Sequence, residues 1–323
     1  MCAEKGWVRT EEVRLGDPHQ RSRDDAQRAG GSCEPAERTG VCMKLGVILP
    51  QYEIGLDSGA LRAFAQAVED LGYQYLVAFD SLCTENPWHE PLVFYAHLSG
   101  WTHKLELTTG VIVAPSRQTL LLAKQAASLD VLSGGRLRLG LGVGWNKVEF
   151  QAMNADWEAR GSQIEEQMEV LRALWTQPTV TFQGKWHHLS EVHMSPLPLQ
   201  RPIPIWLGGW AEAVLQRVGA LSDGWIPVFV DPTDPWKYEE LRGKVARLRD
   251  YTSAAGRPAE AVGIDAQSGL RLLWGGEEKW ATTARAWRSL GATHLSVDTM
   301  GANLTSLDAH IDALRKIKEV LGT

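Results

Sequence analysis

The 323-residue sequence has little of what marks several common protein classes. Its four cysteines, Cys2, Cys33, Cys42 and Cys83, form no C-x-x-C pair. This spacing excludes a cysteine zinc site and a disulfide framework, and it predicts a reduced, cytoplasmic setting. No apolar run approaches the roughly 18 residues of a membrane-spanning helix, so we expect no membrane segment.

Clusters of positive charge and several catalytic motifs are also lacking. The formal net charge is −6, and no stripe of Lys and Arg stands out. A nucleic-acid partner is therefore not expected, because a polyanion binds to basic surface. No G-x-S-x-G elbow, Walker loop, Cys–His pairing or H-E-x-x-H motif is present, so hydrolase and kinase chemistry has no support and we expect no metal.

Residues 1–42 differ in composition from the rest of the chain. Charged side chains there outnumber Val, Leu, Ile and Phe, and no helical or strand periodicity is visible. Such a segment cannot bury enough apolar surface to offset the entropy that ordering removes. We predict that residues 1–42 are a disordered N-terminal extension and that residues 43–323 form the folded domain, with Met43 as the functional start.

From Met43 onward, continuously apolar runs alternate with segments of helical periodicity. Continuous runs are typical of strands that are buried on both faces. Eight such runs lie at 45–50, 75–80, 105–115, 136–144, 203–209, 223–230, either 262–266 or 270–275, and 293–298. Eight βα units favour a (β/α)8 TIM barrel over an open doubly wound sheet.

Two local patterns refine this prediction. Ser162 and Glu165 have the spacing of a capping box, so we expect the helix after strand four to begin there. Residues 176–202 form an insertion before strand five, and "VTFQGKWHHL" predicts a hairpin that turns near Gly184.

The insertion also contains a loose group of histidines, His187, His188 and His193. A connection from a helix to a strand lies on the N-terminal face of a barrel, whereas active sites lie at the C-terminal ends of the strands. We therefore interpret these histidines as solvated loop residues.

The stretch "SGGRLRLGLGVGW" places Gly140, Gly142 and Gly144 at alternate positions of the fourth strand. A dinucleotide-binding loop needs G-x-G-x-x-G, and Trp145 or Lys147 stands where the third glycine belongs. Alternate glycines instead leave one face of a strand without side chains. Two interpretations stay open: close packing inside a narrow barrel, or a floor for a flat cofactor.

Three further features lie at predicted strand ends. Gly208 and Gly209, in "WLGGWAEAVLQ", precede a helix whose free N–H groups attract an anion such as phosphate, although a simple turn also uses such residues. Asp80 ends strand two, where a carboxylate caps a helix or serves a site. His89 follows on the same face. Two interpretations stay open: a proton donor or acceptor near neutral pH, or a loop residue without a role in the site.

Four segments, in this order, resemble the bacterial luciferase-like superfamily of flavin and deazaflavin oxidoreductases: "SGGRLRLGLGVGWNKVEF", "RGSQIEEQMEVLRALW", "PLPLQRPIPIWLGG" and "LSDGWIP". The resemblance extends from Met43 to Thr323 and is greatest to the oxidoreductases that depend on coenzyme F-420. It implies a (β/α)8 barrel that holds coenzyme F-420 (a 5-deazaflavin) or FMN at its C-terminal mouth, usually in a homodimer.

The resemblance also implies site residues. "TTGVIV" is similar to the family's third strand, where a non-proline cis peptide bulges against the cofactor ring, and the fourth and fifth strand ends are similar to segments beside the ring and the phosphate. The implied cofactor-binding residues are Gly110 and Val111; Gly142, Val143, Gly144 and Trp145; and Gly208, Gly209 and Trp210. Asp80 corresponds to the family's acidic end of strand two.

Two departures bear on the substrate. Sugar-phosphate dehydrogenases of this superfamily carry a histidine after the strand-two aspartate and a glutamate after the strand-four glycines, whereas this chain has Ser81 and Trp145. A sugar-phosphate substrate is therefore not expected, and Trp145 indicates an apolar or aromatic one.

The predicted function is hydride transfer between coenzyme F-420, or FMN, and a small organic molecule, with Asp80 and His89 as the acid–base candidates. An FMN-dependent monooxygenase and a catalytically silent flavin-binding barrel are the alternatives.

Overall fold

The computed structural model describes residues 43–227, 230–271 and 275–322. Its strands are β1 Lys44–Ile48, β2 Tyr75–Ala78, β3 Glu106–Thr109, β4 Ile112–Val113, β5 Leu137–Gly142, β6 Val180–Gln183, β7 His188–Val192, β8 Ile205–Gly208, β9 Gly224–Ile226, β10 Gly263–Arg271 and β11 His294–Asp298. The predicted disorder of residues 1–42 lies outside the described residues and stays a prediction.

The helices lie between these strands. They are α1 Ser58–Asp70, α2 Pro91–Ser99, α3 Thr119–Ser133, α4 Lys147–Ala152, α5 Arg160–Thr176, α6 Glu212–Leu221, α7 Pro235–Ala254, α8 Glu277–Ser289 and α9 Leu307–Leu321. None of the helices in the described ranges is long and apolar enough to cross a membrane.

The strands close into a parallel barrel in the order β1, β2, β3, β5, β8, β9, β10, β11 and back to β1. The short strand β4 continues β3 beyond a bulge and pairs with the upper part of β5. The predicted (β/α)8 barrel is confirmed, and so is an insertion before the fifth barrel strand, where β6 and β7 pair antiparallel.

The first sequence alternative for strand seven, 262–266, lies in strand β10 from residue 263, whereas the second, 270–275, shares with it only residues 270 and 271, and 272–274 lie outside the described residues. Strand β10 runs from Gly263 to Arg271, with a register shift between Ala266 and Leu270 where it pairs with β11. The irregularity explains why neither apolar run alone marked the strand.

The predicted capping box at Ser162 is wrong. Helix α5 begins at Arg160 after Ala159, which makes no side-chain cap. The Ser162 hydroxyl donates to the Ala159 carbonyl, and Glu165 accepts instead from Arg217. A tertiary ion pair therefore uses the carboxylate that a capping box would have required.

The expectation for the insertion histidines is wrong for His187. The hairpin folds back along α5, and the His187 ring lies largely buried between Glu166 and Thr119, the first residue of α3. Because α3 begins at the C-terminal side of the barrel, the hairpin tip reaches the half of the molecule that carries the strand ends. His188 and His193 lie exposed, as predicted.

The floor of the barrel holds a buried cation. The Arg138 guanidinium pairs with Asp265 at 2.7 Å and also with Glu106, and it lies between the rings of Tyr75 and Trp206 at 4.7 and 4.5 Å. The Tyr75 hydroxyl donates to Asp265, so the charges are paired within a layer of aromatic side chains.

Candidate active site at the C-terminal mouth

The peptide bond between Gly110 and Val111 is cis, at the position that the family resemblance implies. After this bond, strand three turns inward and its side chains occupy the glycine face of β5. A Cβ atom on Gly142 would lie 2.5 Å from Val111 Cγ2, and one on Gly140 would lie 1.9 Å from the Thr109 carbonyl oxygen.

The same packing continues around the barrel. Gly144 lies against Val113, and Gly208 of the neighbouring strand lies against the other methyl group of Val111. Of the two interpretations of the alternate glycines, close packing is therefore the one that the geometry supports directly. They admit the bulged strand, and their proposed contact with a cofactor remains a prediction.

Asp80 fastens the loop that follows the bulge. Its carboxylate accepts from the Val113 N–H at 3.2 Å and from Arg117 at 2.8 and 2.9 Å, and its side chain is 1% exposed. Burial raises the pKa of the Asp80 carboxyl, and the Arg117 charge opposes that rise. Arg117 also pairs with Glu90, the N-cap of α2.

His89 stacks on Phe94 with ring centroids 6.0 Å apart, and its Nε2 atom is buried without a hydrogen-bond partner. No contact joins it to Asp80. The preceding residue, Trp88, instead packs edge-on against Tyr52, with ring centroids 5.6 Å apart. It also lies against Phe79, with ring centroids 6.0 Å apart.

An aromatic wall made of Tyr52, Phe79 and Trp88, with Met300 beside it, therefore lines the side of the mouth next to β1, β2 and β11. Trp145 does not contribute to it, because its side chain is 85% exposed. The contribution of Trp145 to an apolar pocket therefore stays a prediction.

Polar groups missed by the sequence reasoning stand near this wall. Arg271, at the end of β10, approaches Asp298 of β11 to 3.4 Å. Burial, with Glu53 and Asp298 nearby, raises the pKa of the Tyr52 hydroxyl.

Gln267 of β10 lies directly against Gly110, within 3 Å of the position of an added Cβ atom, and its Nε2 is buried without a partner. The available signal for this residue was a polar side chain inside an otherwise apolar run.

Glu149 holds the loop after β2. Its carboxylate accepts from the Ser81 hydroxyl at 2.9 Å and from the N–H groups of Leu82 and Cys83 at 2.7 and 3.2 Å. Ser81 is thus engaged in fixing its own loop.

A small cavity separates the ends of β5 and β8 from helices α5 and α6. Gly142, Val143, Gly208 and Arg217 are among the residues that line it. Helix α6 begins beside it without a side-chain cap, so its first N–H groups have no acceptor from that residue. Arg217, which also donates to Glu165 at 2.6 Å, and these N–H groups are donors of the kind that bind anions.

Gly209 and Trp210, the other predicted cofactor-binding residues near this cavity, make contacts with other parts of the structure. Gly209 has φ +143° and donates its N–H to the Ile226 carbonyl. The Trp210 indole donates to Glu240 of α7 and lies under Lys244, on the outer layer of the barrel. Trp210 therefore packs against a helix. Within the described ranges, no group of three His, Cys, Asp or Glu side chains is arranged to hold a metal ion.

These features belong to a barrel whose C-terminal end combines a bulged third strand, glycine-rich strand ends and a small cavity beside the start of α6. The luciferase-like monooxygenase family matches residues 43–319, and the chain belongs to this family.

Two relatives illustrate its range. An uncharacterized protein of Mycobacterium tuberculosis is 36% identical over 164 residues, which cover 51% of this chain and 55% of that protein. An FMNH2-dependent dimethylsulfone monooxygenase of Pseudomonas putida is 29% identical over 212 residues, 64% of this chain and 56% of that protein. The chain thus spans little more than half the length of these curated relatives.

Among solved structures, the coenzyme F420-dependent tetrahydromethanopterin reductase of Methanopyrus kandleri superposes with a TM-score of 0.68 at 16% identity. The superposition covers 87% of this chain and 97% of that chain. At this identity the likeness shows the shared barrel fold.

Proposed function

We propose that this protein is an oxidoreductase that transfers a hydride between coenzyme F-420 and a small, apolar organic substrate. The observation that carries the proposal is the buried Gln267 amide nitrogen, which has no hydrogen-bond partner among the described residues and lies against Gly110 at the mouth of the barrel. The coenzyme supplies the hydride chemistry, and the chain positions the ring and excludes water.

The residues present suit a ring and a phosphate. Gln267 offers a buried N–H donor beside Gly110, and an amide donor without a partner is costly unless a ligand satisfies it. Arg217 and the first N–H groups of α6 offer donors to a phosphate between Gly142 and Gly208.

The substrate would lie on the opposite side of the ring, against the aromatic wall of Tyr52, Phe79 and Trp88. Aromatic side chains bind apolar molecules by removing a large area from water. Of the two acid–base candidates, His89 is the one with an unengaged ring nitrogen, whereas we propose that Asp80 fixes the loop after the bulge.

The second candidate function is an FMN-dependent monooxygenase in which the same mouth binds reduced FMN. The relative from Pseudomonas putida, named for its FMNH2 dependence, favours this alternative. The third candidate is a flavin-binding barrel without catalytic activity. Sustained turnover of reduced cofactor with any substrate would exclude it.

Titration of the purified protein with FMN and, separately, with coenzyme F-420 tests the proposal. We expect saturable, micromolar binding of coenzyme F-420, whereas exclusive binding of FMN would favour the monooxygenase. Binding of neither would overturn both.

The phosphate contact has its own test. Arg217→Gln should weaken FMN binding about tenfold and leave riboflavin binding unchanged, because riboflavin lacks the phosphate. Arg242→Gln, an exposed arginine on α7 that pairs with Glu239, is the matched control. Equal losses for both flavins would contradict the assignment.

A further inference from the structure

We infer that the inserted hairpin β6–β7 braces the loop that follows the bulged third strand, and that His187 is a positioning residue for the candidate site. The inference concerns a segment that the sequence places far from the strand ends, and its bearing on cofactor binding rests on the proposed function.

The turn of the hairpin is bound tightly to helix α5. The Glu166 carboxylate accepts from the backbone N–H groups of Lys185, Trp186 and His187 at 2.8, 2.9 and 2.7 Å. Gly184 permits this approach, since a Cβ atom there would lie 2.4 Å from the carboxyl carbon. Burial acts to raise the pKa of Glu166, but the hydrogen bonds from His187 and the turn lower it, so the carboxylate is a persistent acceptor.

From the turn, a series of hydrogen bonds leads to helix α3. Gln167 Nε2 donates to Thr119 Oγ1 at 3.1 Å, and the Thr119 hydroxyl is hydrogen-bonded to His187 Nε2 at 2.5 Å. His187 Nδ1–H then donates to Glu166 at 2.7 Å.

The same glutamine holds the loop after the bulge. Gln167 is fully buried, and its Nε2 also lies 3.0 Å from the Ala114 carbonyl oxygen and 3.3 Å from that of Arg117. Arg117 in turn pairs with Asp80, which accepts from the Val113 N–H, two residues beyond the cis peptide. The brace therefore reaches the bulge through hydrogen bonds at every step.

The neighbouring residue provides a matched control. His188 is exposed, and its side chain is hydrogen-bonded to Gln183 within the hairpin itself. A contribution of the hairpin to stability alone would make the two histidines differ in thermal midpoint but not in the mobility of the distant loop.

The test compares His187→Phe with His188→Phe by amide hydrogen exchange over residues 110–118 and by titration with FMN and coenzyme F-420. For His187→Phe we expect exchange at Val113 and Arg117 to rise about tenfold and the affinity for the bound cofactor to fall by a similar factor. His188→Phe should change neither. His187→Gln, which keeps an acceptor for Thr119, should restore part of the protection.

Two outcomes are distinguished. Unchanged exchange in His187→Phe would overturn the brace even when the protein binds cofactor. Raised exchange in a protein that binds neither FMN nor coenzyme F-420 would support the brace and reject the proposed function. Should His187→Phe not fold, Thr119→Val carries the same test, because it removes the shared hydroxyl and leaves the turn bound to Glu166.

Discussion

At the residue scale, Asp265 is the counter-ion on which the barrel floor depends. Asp265→Asn leaves the buried Arg138 with Glu106 as its remaining carboxylate partner, and an incompletely paired buried charge is costly. We expect the free energy of unfolding, measured by urea denaturation, to fall by about 3 to 5 kcal/mol. Glu239→Gln breaks an exposed pair with Arg242 and should have no measurable effect. A loss of similar size in both variants would contradict this account.

A second prediction at this scale concerns His294 and the pH dependence of the free energy of unfolding. Burial, together with the charges of Arg138 and Lys44, lowers the pKa of His294 to about 2. The unfolded chain binds the proton near pH 6.5, so stability is present above that pH and falls as the pH decreases toward 2, by about 1.4 kcal/mol per pH unit.

His294→Phe should keep the edge-on contacts with Tyr75 and Trp206 and remove this dependence. Urea denaturation between pH 7 and 5 would measure the slope. The prediction fails if both proteins lose stability in parallel.

Sequence reasoning was least informative about individual residues. It selected Gly110 and Val111 through the family resemblance, and the cis bond is there. It missed Arg117 and Gln267, because their partners are distant in sequence and only the closed barrel brings them together. It could not predict that Trp145 is exposed, since exposure at a strand end depends on loop geometry.

At the element scale, the fit between the bulged third strand and β5 is a test of packing. Gly142→Ala introduces a Cβ atom 2.5 Å from Val111 Cγ2, and overpacking of this kind costs about 1 to 3 kcal/mol. Val111→Ala should recover part of the loss in the double variant, because it removes the clashing methyl group. Thermal or urea unfolding of the single and double variants gives the coupling.

Gly100→Ala is the control, since nothing lies within 4 Å of its added Cβ atom and its φ of −81° suits alanine. Additive losses in the double variant would show that the strand contact is not the cause.

Elements were predicted well where burial dictates the pattern. Strands covered on both faces gave continuous apolar runs, and Gly134 ended α3 in the left-handed conformation, with φ +71°. The start of α5 was predicted wrongly, because Ser162 and Glu165 have the spacing of a capping box whereas the glutamate accepts from Arg217. The short helix α4 was missed, since six residues show no full period.

At the scale of the whole molecule, we propose that the predicted homodimer forms through exposed apolar side chains on α2 and α3. Val93, Leu121 and Leu132 are exposed on these two adjacent helices. Val93→Lys with Leu121→Lys should convert a dimer to a monomer in sedimentation velocity, because charged groups are costly to bury. Trp236→Lys, on α7, should leave the dimer intact. A wild-type monomer at micromolar concentration would refute the prediction.

The aromatic floor closes one end of the barrel. Tyr75 covers Gly46, Trp206 covers Gly224, and Arg138 lies between the two rings. We therefore expect any ligand of the candidate site to enter and leave at the C-terminal mouth.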